Sequence, residues 1–399
     1  MKKKRLLNII GEIDDRHIVE AAPYANTRRK APAWTKWVAV AACLCLLLGS
    51  ALINRLNMPQ YASEMLSISE SDIGMGFEGY RVYDISEIRR DNPTDGVKMK
   101  ALNVYRNTIC YDERLYPYGQ NLDAMKEYLL SLAGKFGLDT DSLEIFEETP
   151  NEDQMYGLTM EFASVGREVP EYYTVPTRVW VKTDDMKITV DVNMTAIISF
   201  EGNIYIPNEY YFGVNSTPDE LTEVSSYLWE QYGHIIGYEN PKLIIDGGDY
   251  DINGGQKYSL SFYDGVKDKA DNFENYSFNR TSFEPGSICI YNMQALEKIG
   301  LYPLISEEEA KALLLEGKYY TTVTEEIPTE DAIVRCELFY RVGSKDKDLL
   351  PFYRFYVALE NAIGMHLYPE GMKAYGVYYV PAVDGKYISN TSIWKGGFN

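Results

Sequence analysis

After Asn121, apolar residues return every three or four positions. Leu122, Met125, Tyr128, Leu129, Leu132 and Phe136 share one helical face, and Asn121 is placed to cap it. Strand-like runs follow at Leu143–Glu147, Tyr156–Ala163, Thr177–Lys182, Lys187–Asn193 and Ala196–Phe200. A second start comes at Thr217-Pro218-Asp219-Glu220, a capping box with proline at the first helical position. Leu221, Val224, Tyr227 and Leu228 match Leu122, Met125, Tyr128 and Leu129 at an offset of 99. Gly237, Leu243 and Ile245 match Gly137, Leu143 and Ile145 at an offset of 100. A helix running through glycine into a strand thus occurs twice, as a duplication would leave it. A third helix is signalled by Ser306-Glu307-Glu308-Glu309, with Ala310, Leu313 and Leu314 on one face and Gly317 as a stop. Beyond it Val334, Cys336, Leu338, Tyr340 and Val342 alternate with Arg335, Glu337 and Arg341, and Phe352–Leu359 and Gly376–Val383 add two more strands. The pattern predicts an α+β fold with units at 106–205, 206–300 and 301–399, the second a candidate repeat of the first.

Upstream the pattern changes. Trp37–Ile53 reads WVAVAACLCLLLGSALI without a charge, about 25 Å of helix. Trp34 and Trp37 suit one headgroup level, and Lys36 and Arg55 can reach outward. Residues 34–54 are therefore expected to be a single transmembrane helix. A buried core helix and a cleaved leader are the competing readings. Arg28, Arg29, Lys30 and Lys36 precede the run and Arg55 alone follows closely. That asymmetry places the N-terminus in the cytoplasm and the C-terminal region outside the cell membrane. Leu56–Gly79, polar and containing Ser67-Ile68-Ser69-Glu70-Ser71-Asp72, reads as a stalk at the start of a 55–105 segment.

The tip, residues 1–33, offers one apolar helical stripe. Leu6, Ile9, Ile10 and Ile13 share a face that Ile18 continues beyond the capping residues Asp14 and Asp15. So short a segment cannot bury a core alone, which makes these seven residues candidates for binding a partner. The stretch Ile10-Gly11-Glu12-Ile13-Asp14-Asp15, then Ile18-Val19-Glu20-Ala21, a basic patch and a Trp-Lys-Trp lead into a cysteine-containing apolar run resembles the N-termini of anti-sigma-factor-like membrane proteins of clostridia and their relatives. The resemblance covers about residues 5–50 and implies a tip that holds a sigma factor beneath a sensing outer domain. It departs from the zinc-binding anti-sigma class, since the tip has only His17 and no cysteine before Cys43. A basic amphipathic anchor on anionic lipid is the alternative. The C-terminal helix and sheet resemble small PepSY-type extracytoplasmic modules in architecture alone.

Charge sharpens this picture. Residues 1–36 hold nine basic and four acidic residues, or +5; the rest holds 30 and 55, or -25. An acidic body argues against direct nucleic-acid binding. Thirty-four tyrosines suit broad half-buried sheet. Cys110, Cys289 and Cys336 are an odd number outside the apolar run, so they form no complete disulfide framework.

Candidate chemistry is thin. Three histidines, at 17, 234 and 366, argue against His-based catalysis or a multi-His metal site. Asp249-Tyr250-Asp251-Ile252-Asn253-Gly254 starts like a calcium loop, but Leu260 stands where the twelfth position needs glutamate. A hairpin turning at Asn253-Gly254 is the better reading. Ser344-Lys345-Asp346-Lys347 lacks the partner motifs of penicillin-binding enzymes. Asn275 and Asn390 begin two of five glycosylation acceptor patterns, which matter only in a eukaryotic secretory route. No nucleophile elbow, P-loop or zincin motif occurs. The expectation is a non-enzymatic protein without cofactor, metal or catalytic residue. Its reading is a membrane-anchored extracytoplasmic sensor or regulator, with the bilayer, a sigma factor and an unknown outer ligand as partners. A surface-anchored binding module with a passive anchor is the alternative, and a carboxylate-based envelope enzyme the third.

Overall fold

The structure, a computed structural model, describes residues 60–68, 80–83, 89–90, 93, 98–108, 121–164, 166–169, 174–201, 206–213, 216–250, 256–293, 296–327, 329–342, 346–359 and 373–390. Gln60–Asn399 form one unit by contact, apart from Met1–Pro59. In chain order the elements are β1 (Tyr80–Tyr83), β2 (Arg89–Arg90), β3 (Ala101–Asn107), α1 (Leu122–Lys135), β4 (Phe146–Glu148), α2 (Glu152–Ser164), β5 (Arg178–Lys182), β6 (Met186–Asp191), β7 (Ala196–Phe200) and α3 (Pro218–Ile236). There follow β8 (Pro241–Tyr250), β9 (Gln256–Asp264), α4 (Lys269–Phe278), β10 (Arg280–Glu284), β11 (Ser287–Ile290), β12 (Leu296–Pro303), α5 (Glu307–Leu315), β13 (Ile333–Tyr340), β14 (Asp348–Leu349), β15 (Pro351–Leu359) and β16 (Lys373–Pro381).

The fold is α+β. Among the described residues the large sheet runs β13-β15-β16-β1-β8-β9-β10-β11-β7-β6-β5-β4, with β2 also on β8. Its paired strands are antiparallel. Three meanders stand side by side in it: β4 to β7, β8 to β11, and β13-β15-β16 extended by β1. Each follows a helix whose chain leaves through a left-handed glycine, Gly137 (φ 78°), Gly237 (φ 78°) and Gly317 (φ 77°). Only glycine enters that region without a Cβ penalty. A second sheet, β12-β3-β14, has three strands.

Helix starts follow local chemistry. Thr217 and Glu220 exchange amides in the expected capping box (3.3 and 2.7 Å), as do Ser306 and Glu309 (3.1 and 2.7 Å). On α1, Met125, Leu129 and Leu132 are buried against strands β5 to β7, together with Leu221, Val224 and Leu228 of α3. The third meander is covered on both faces. Even-numbered Tyr378 and Val380 join the cluster containing Ala310 and Leu314 of α5, whereas odd-numbered Tyr375, Val377 and Tyr379 join Leu66 and Tyr302.

Three expectations are corrected here. The run 156–163 is helical within α2, because Asn151 and Gln154 exchange amide hydrogen bonds at 2.9 Å and open a helix at Glu152. No residue of α2 is buried, and Tyr156 and Met160 are exposed. Asn151→Ala is therefore expected to weaken this helix by about 1 kcal/mol, seen as faster amide exchange in 152–158 with little change in global stability. Residues 60–68, placed in a polar stalk by their composition, lie bound into the unit: Leu66 is 0% and Ile68 2% exposed. Their spacing across Ser67 is the period of a strand, which a composition reading passes over.

The third correction concerns the membrane. No helix among the described residues is long and apolar enough to cross a bilayer. The longest described helix, α3, has 19 residues and carries Asp219, Glu220, Glu223 and Glu230, the pattern of an amphipathic helix on a sheet. The fold class with a cytoplasmic tip and one transmembrane helix, the single-pass cell-membrane location and the bilayer as partner are thus not supported. The run expected to span, 34–54, lies outside the described residues.

Candidate functional site

The seven tip residues Leu6, Ile9, Ile10, Ile13, Asp14, Asp15 and Ile18 lie outside the described residues, and so does His17. The structure brings other residues together. His234 is exposed in the last turn of α3. The calcium-like segment joins β8 to β9, which pair from Pro241↔Asp264 to Tyr250↔Gln256; residues 251–255 of the turn are outside the described residues.

A cavity of about 560 Å³ opens where α5 begins. Four separate pieces of chain build it. The sheet contributes Cys336 and Leu338 of β13 and Tyr353 of β15, neighbours because Leu338 pairs with Tyr353. The first turn of α5 supplies Ser306, Glu307, Glu308 and Glu309, and the chain just ahead of it Leu304 and Ile305. Lys98, Met99 and Lys100, leading into β3, form the remaining wall, held where the Leu304 amide bonds the Lys100 carbonyl (2.9 Å). Tyr353 donates its hydroxyl to the Ile305 carbonyl (2.9 Å), which ties the floor to the helix start.

The wall is electronegative over an apolar floor. Glu337 at the cavity is neutralised from behind by Arg335 (2.8 Å) and Arg354 (2.6 Å), leaving three α5 carboxylates against two lysines. Lys98 makes only an exposed pair with Glu308 at 3.7 Å, a weak restraint in water. The Glu308 carboxyl is held below its ordinary range by its own amide first and by Lys98 next. Burial, then Glu307 and Glu337, push the Cys336 thiol well above its ordinary value. Burial, then Cys336 and the three α5 glutamates, push the Tyr353 phenol up to about 12. Burial, the first cause of both shifts, disfavours charge of either sign, and only the smaller contributions of the glutamates favour a cation over an anion here. A protonated thiol is a poor nucleophile, so Cys336 lines the floor without an activated role.

The cavity lies beside a sheet end. β13 is the last strand of the large sheet, and no strand among the described residues pairs with its outer edge. No motif announces this site. Its glutamates already had a role as a capping box and its cysteine one as core, and only the tertiary fold brings 98–100, 304–309, 336–338 and 353 together.

No known family matches the chain, and no curated protein does. A solved structure of an uncharacterized protein from Eubacterium rectale is similar at 11% identity over 72% of this chain and 85% of that one, with a TM-score of 0.32. A likeness that distant carries no argument. The resemblances to anti-sigma-factor-like membrane proteins and to PepSY-type modules therefore find no relative behind them, and the single-pass arrangement on which the first depended lacks a spanning helix among the described residues. The sensor, sigma-factor and surface-anchor readings fall with it.

Proposed function

We propose that the chain is a binding module that takes an extended basic peptide segment along β13, with a cationic side chain in the α5 cavity. The observation that carries this reading is the juxtaposition of the terminal strand of the sheet, among the described residues, with a cavity whose floor is apolar and whose wall is carboxylate. A strand added to a sheet edge gains affinity from main-chain hydrogen bonds, and pockets for alternate side chains supply selectivity. Lysine and arginine match this pocket because their stems are apolar and their heads charged. Met99, Leu304 and Leu338 suit the stem; Glu307 and Glu308 suit the head.

The test is a fluorescence titration with a labelled nonapeptide of alternating valine and threonine bearing one central arginine, and its glutamate counterpart. The arginine peptide is expected to bind at least about tenfold more tightly, the size of two modest charge interactions. Glu307→Gln with Glu308→Gln should remove most of that preference, and added salt should narrow it. Equal binding of both peptides, or a preference for arginine that survives the double glutamine change, would sink the proposal.

A further inference from the structure

The segment Gln60–Ile68 is held in the way a bound peptide is held. Its Ala62 amide donates to the Leu301 carbonyl (2.9 Å), its Leu66 amide to the Tyr387 carbonyl (2.8 Å), and the Leu66 carbonyl accepts from the Ser389 amide (2.9 Å). Asn390 engages one residue from both sides: Oδ1 accepts the Ile68 amide (2.8 Å) and Nδ2 donates to the Ile68 carbonyl (2.7 Å). Leu66 and Ile68 are two apolar pegs among Val104, Tyr302 and Ile388, while Met65 is 52% exposed. Glu64 is matched by Arg106 at 2.6 Å, and the Ser67 amide donates to Asp348 (2.9 Å). Ladder, pegs and charge together define a sequence, Glu-x-Leu-Ser-Ile.

We propose that this groove is an acceptor for that extended segment, and that its exchange occupant is the same segment of a second copy, giving a strap-exchanged dimer. The groove residues named lie between Val104 and Asn390, distant in sequence from the strap, and the strap sits at the N-terminal edge of its unit. Each of these contacts is therefore available unchanged from another molecule. Exchange keeps each of the contacts named above and costs the loss of association freedom, which concentration offsets. A reciprocal exchange makes a closed twofold dimer, and the segment that fits is present on every copy.

The test uses the full chain. Leu66→Asp with Ile68→Asp empties the groove in cis, and Leu66→Ala with Ile68→Ala is the milder pair should the first not fold. A labelled peptide spanning Gln60–Ile68 is expected to bind these variants at least ten times more tightly than it binds the wild type, and a peptide with serine at both peg positions is not expected to bind. Independently, concentrated wild-type protein mixed from ordinary and 15N-labelled batches should give mixed-isotope dimers in native mass spectrometry, lost in the peg variants. A natively folded peg variant that ignores the peptide overturns the acceptor. Peptide binding without mixed-isotope dimers overturns exchange between copies and points to a similar segment on another protein.

Discussion

Glu337→Ala is expected to lower unfolding free energy by about 3–5 kcal/mol, the cost of stranding charge in a place water reaches poorly. Glu337 has a fully buried side chain in the third meander, ion-paired with Arg335 Nε at 2.8 Å and hydrogen-bonded by Arg354 Nη2 at 2.6 Å. The Tyr356 hydroxyl adds a donor at 3.3 Å. Arg354 is fixed in turn: its guanidinium lies 4.7 Å from the Phe339 ring centroid and 5.6 Å from that of Tyr356. Strand register puts these groups in place, since Glu337 pairs with Arg354 and Arg335 with Tyr356. Removing the carboxylate leaves two guanidinium groups without their shared counter-charge. The paired change Glu337→Leu with Arg354→Met removes the more buried pair and leaves Arg335, whose side chain is 22% exposed, to water, and it is expected to recover to within about 1 kcal/mol of wild type. Urea denaturation reads both, with the midpoint moving and the slope unchanged. A single alanine variant within 1 kcal/mol of wild type would show that the cluster is solvated and contributes little.

Glu337 also shows where the sequence stops being legible. Val334 to Val342 alternates cleanly, and Arg335, Glu337 and Arg341 read as the wet face. The alternation is real, but β13 and β15 are covered on that face too, so the charges are paired with one another instead of with water. What could be read was local: the boxes at Thr217 and Ser306, the glycine exits, and the strands at 178–182, 186–191, 196–200 and 351–359. The box at Asn151 and Gln154 was equally local but lay just ahead of a run, Tyr156–Ala163, whose tyrosine and methionine suggested a strand. Tertiary joins had no signal. That β7 meets β11, that β1 pairs with β16 across almost the whole chain, and that Leu66 docks beside Ile388 all follow from packing between distant segments. The candidate site belongs to this second kind. Each of its pieces had a sufficient local explanation, so none advertised a cavity.

Alkaline pH should unfold the unit cooperatively instead of titrating its tyrosines one by one. Tyr302, Tyr319 and Tyr353 are buried, and burial is the first cause that pushes each phenol up to about 12 from 10.0. Nearby carboxylates act in the same direction: Glu64 and Asp348 on Tyr302, Glu326 on Tyr319, and the α5 glutamates on Tyr353. A phenol with a raised folded-state pKa holds its proton more tightly folded than unfolded. Its stabilisation is complete below pH 10 and is lost as pH climbs toward 12, at up to about 1.4 kcal/mol per pH unit for each such group. Three together give a slope steep against a marginal total stability of roughly 5–15 kcal/mol. Phenolate absorbance at 295 nm should then rise in a step that coincides with loss of the far-ultraviolet circular dichroism signal, after an early minor rise from exposed residues such as Tyr211. Replacing Tyr302 by phenylalanine removes one ionising group and the hydroxyl bond to the Glu64 carbonyl (3.1 Å). That variant should be less stable at neutral pH yet lose stability less steeply above pH 10. If phenolate appears gradually around pH 10 with the dichroism unchanged, the buried phenols are reached by water in the native state and the packing around them is looser than their burial implies.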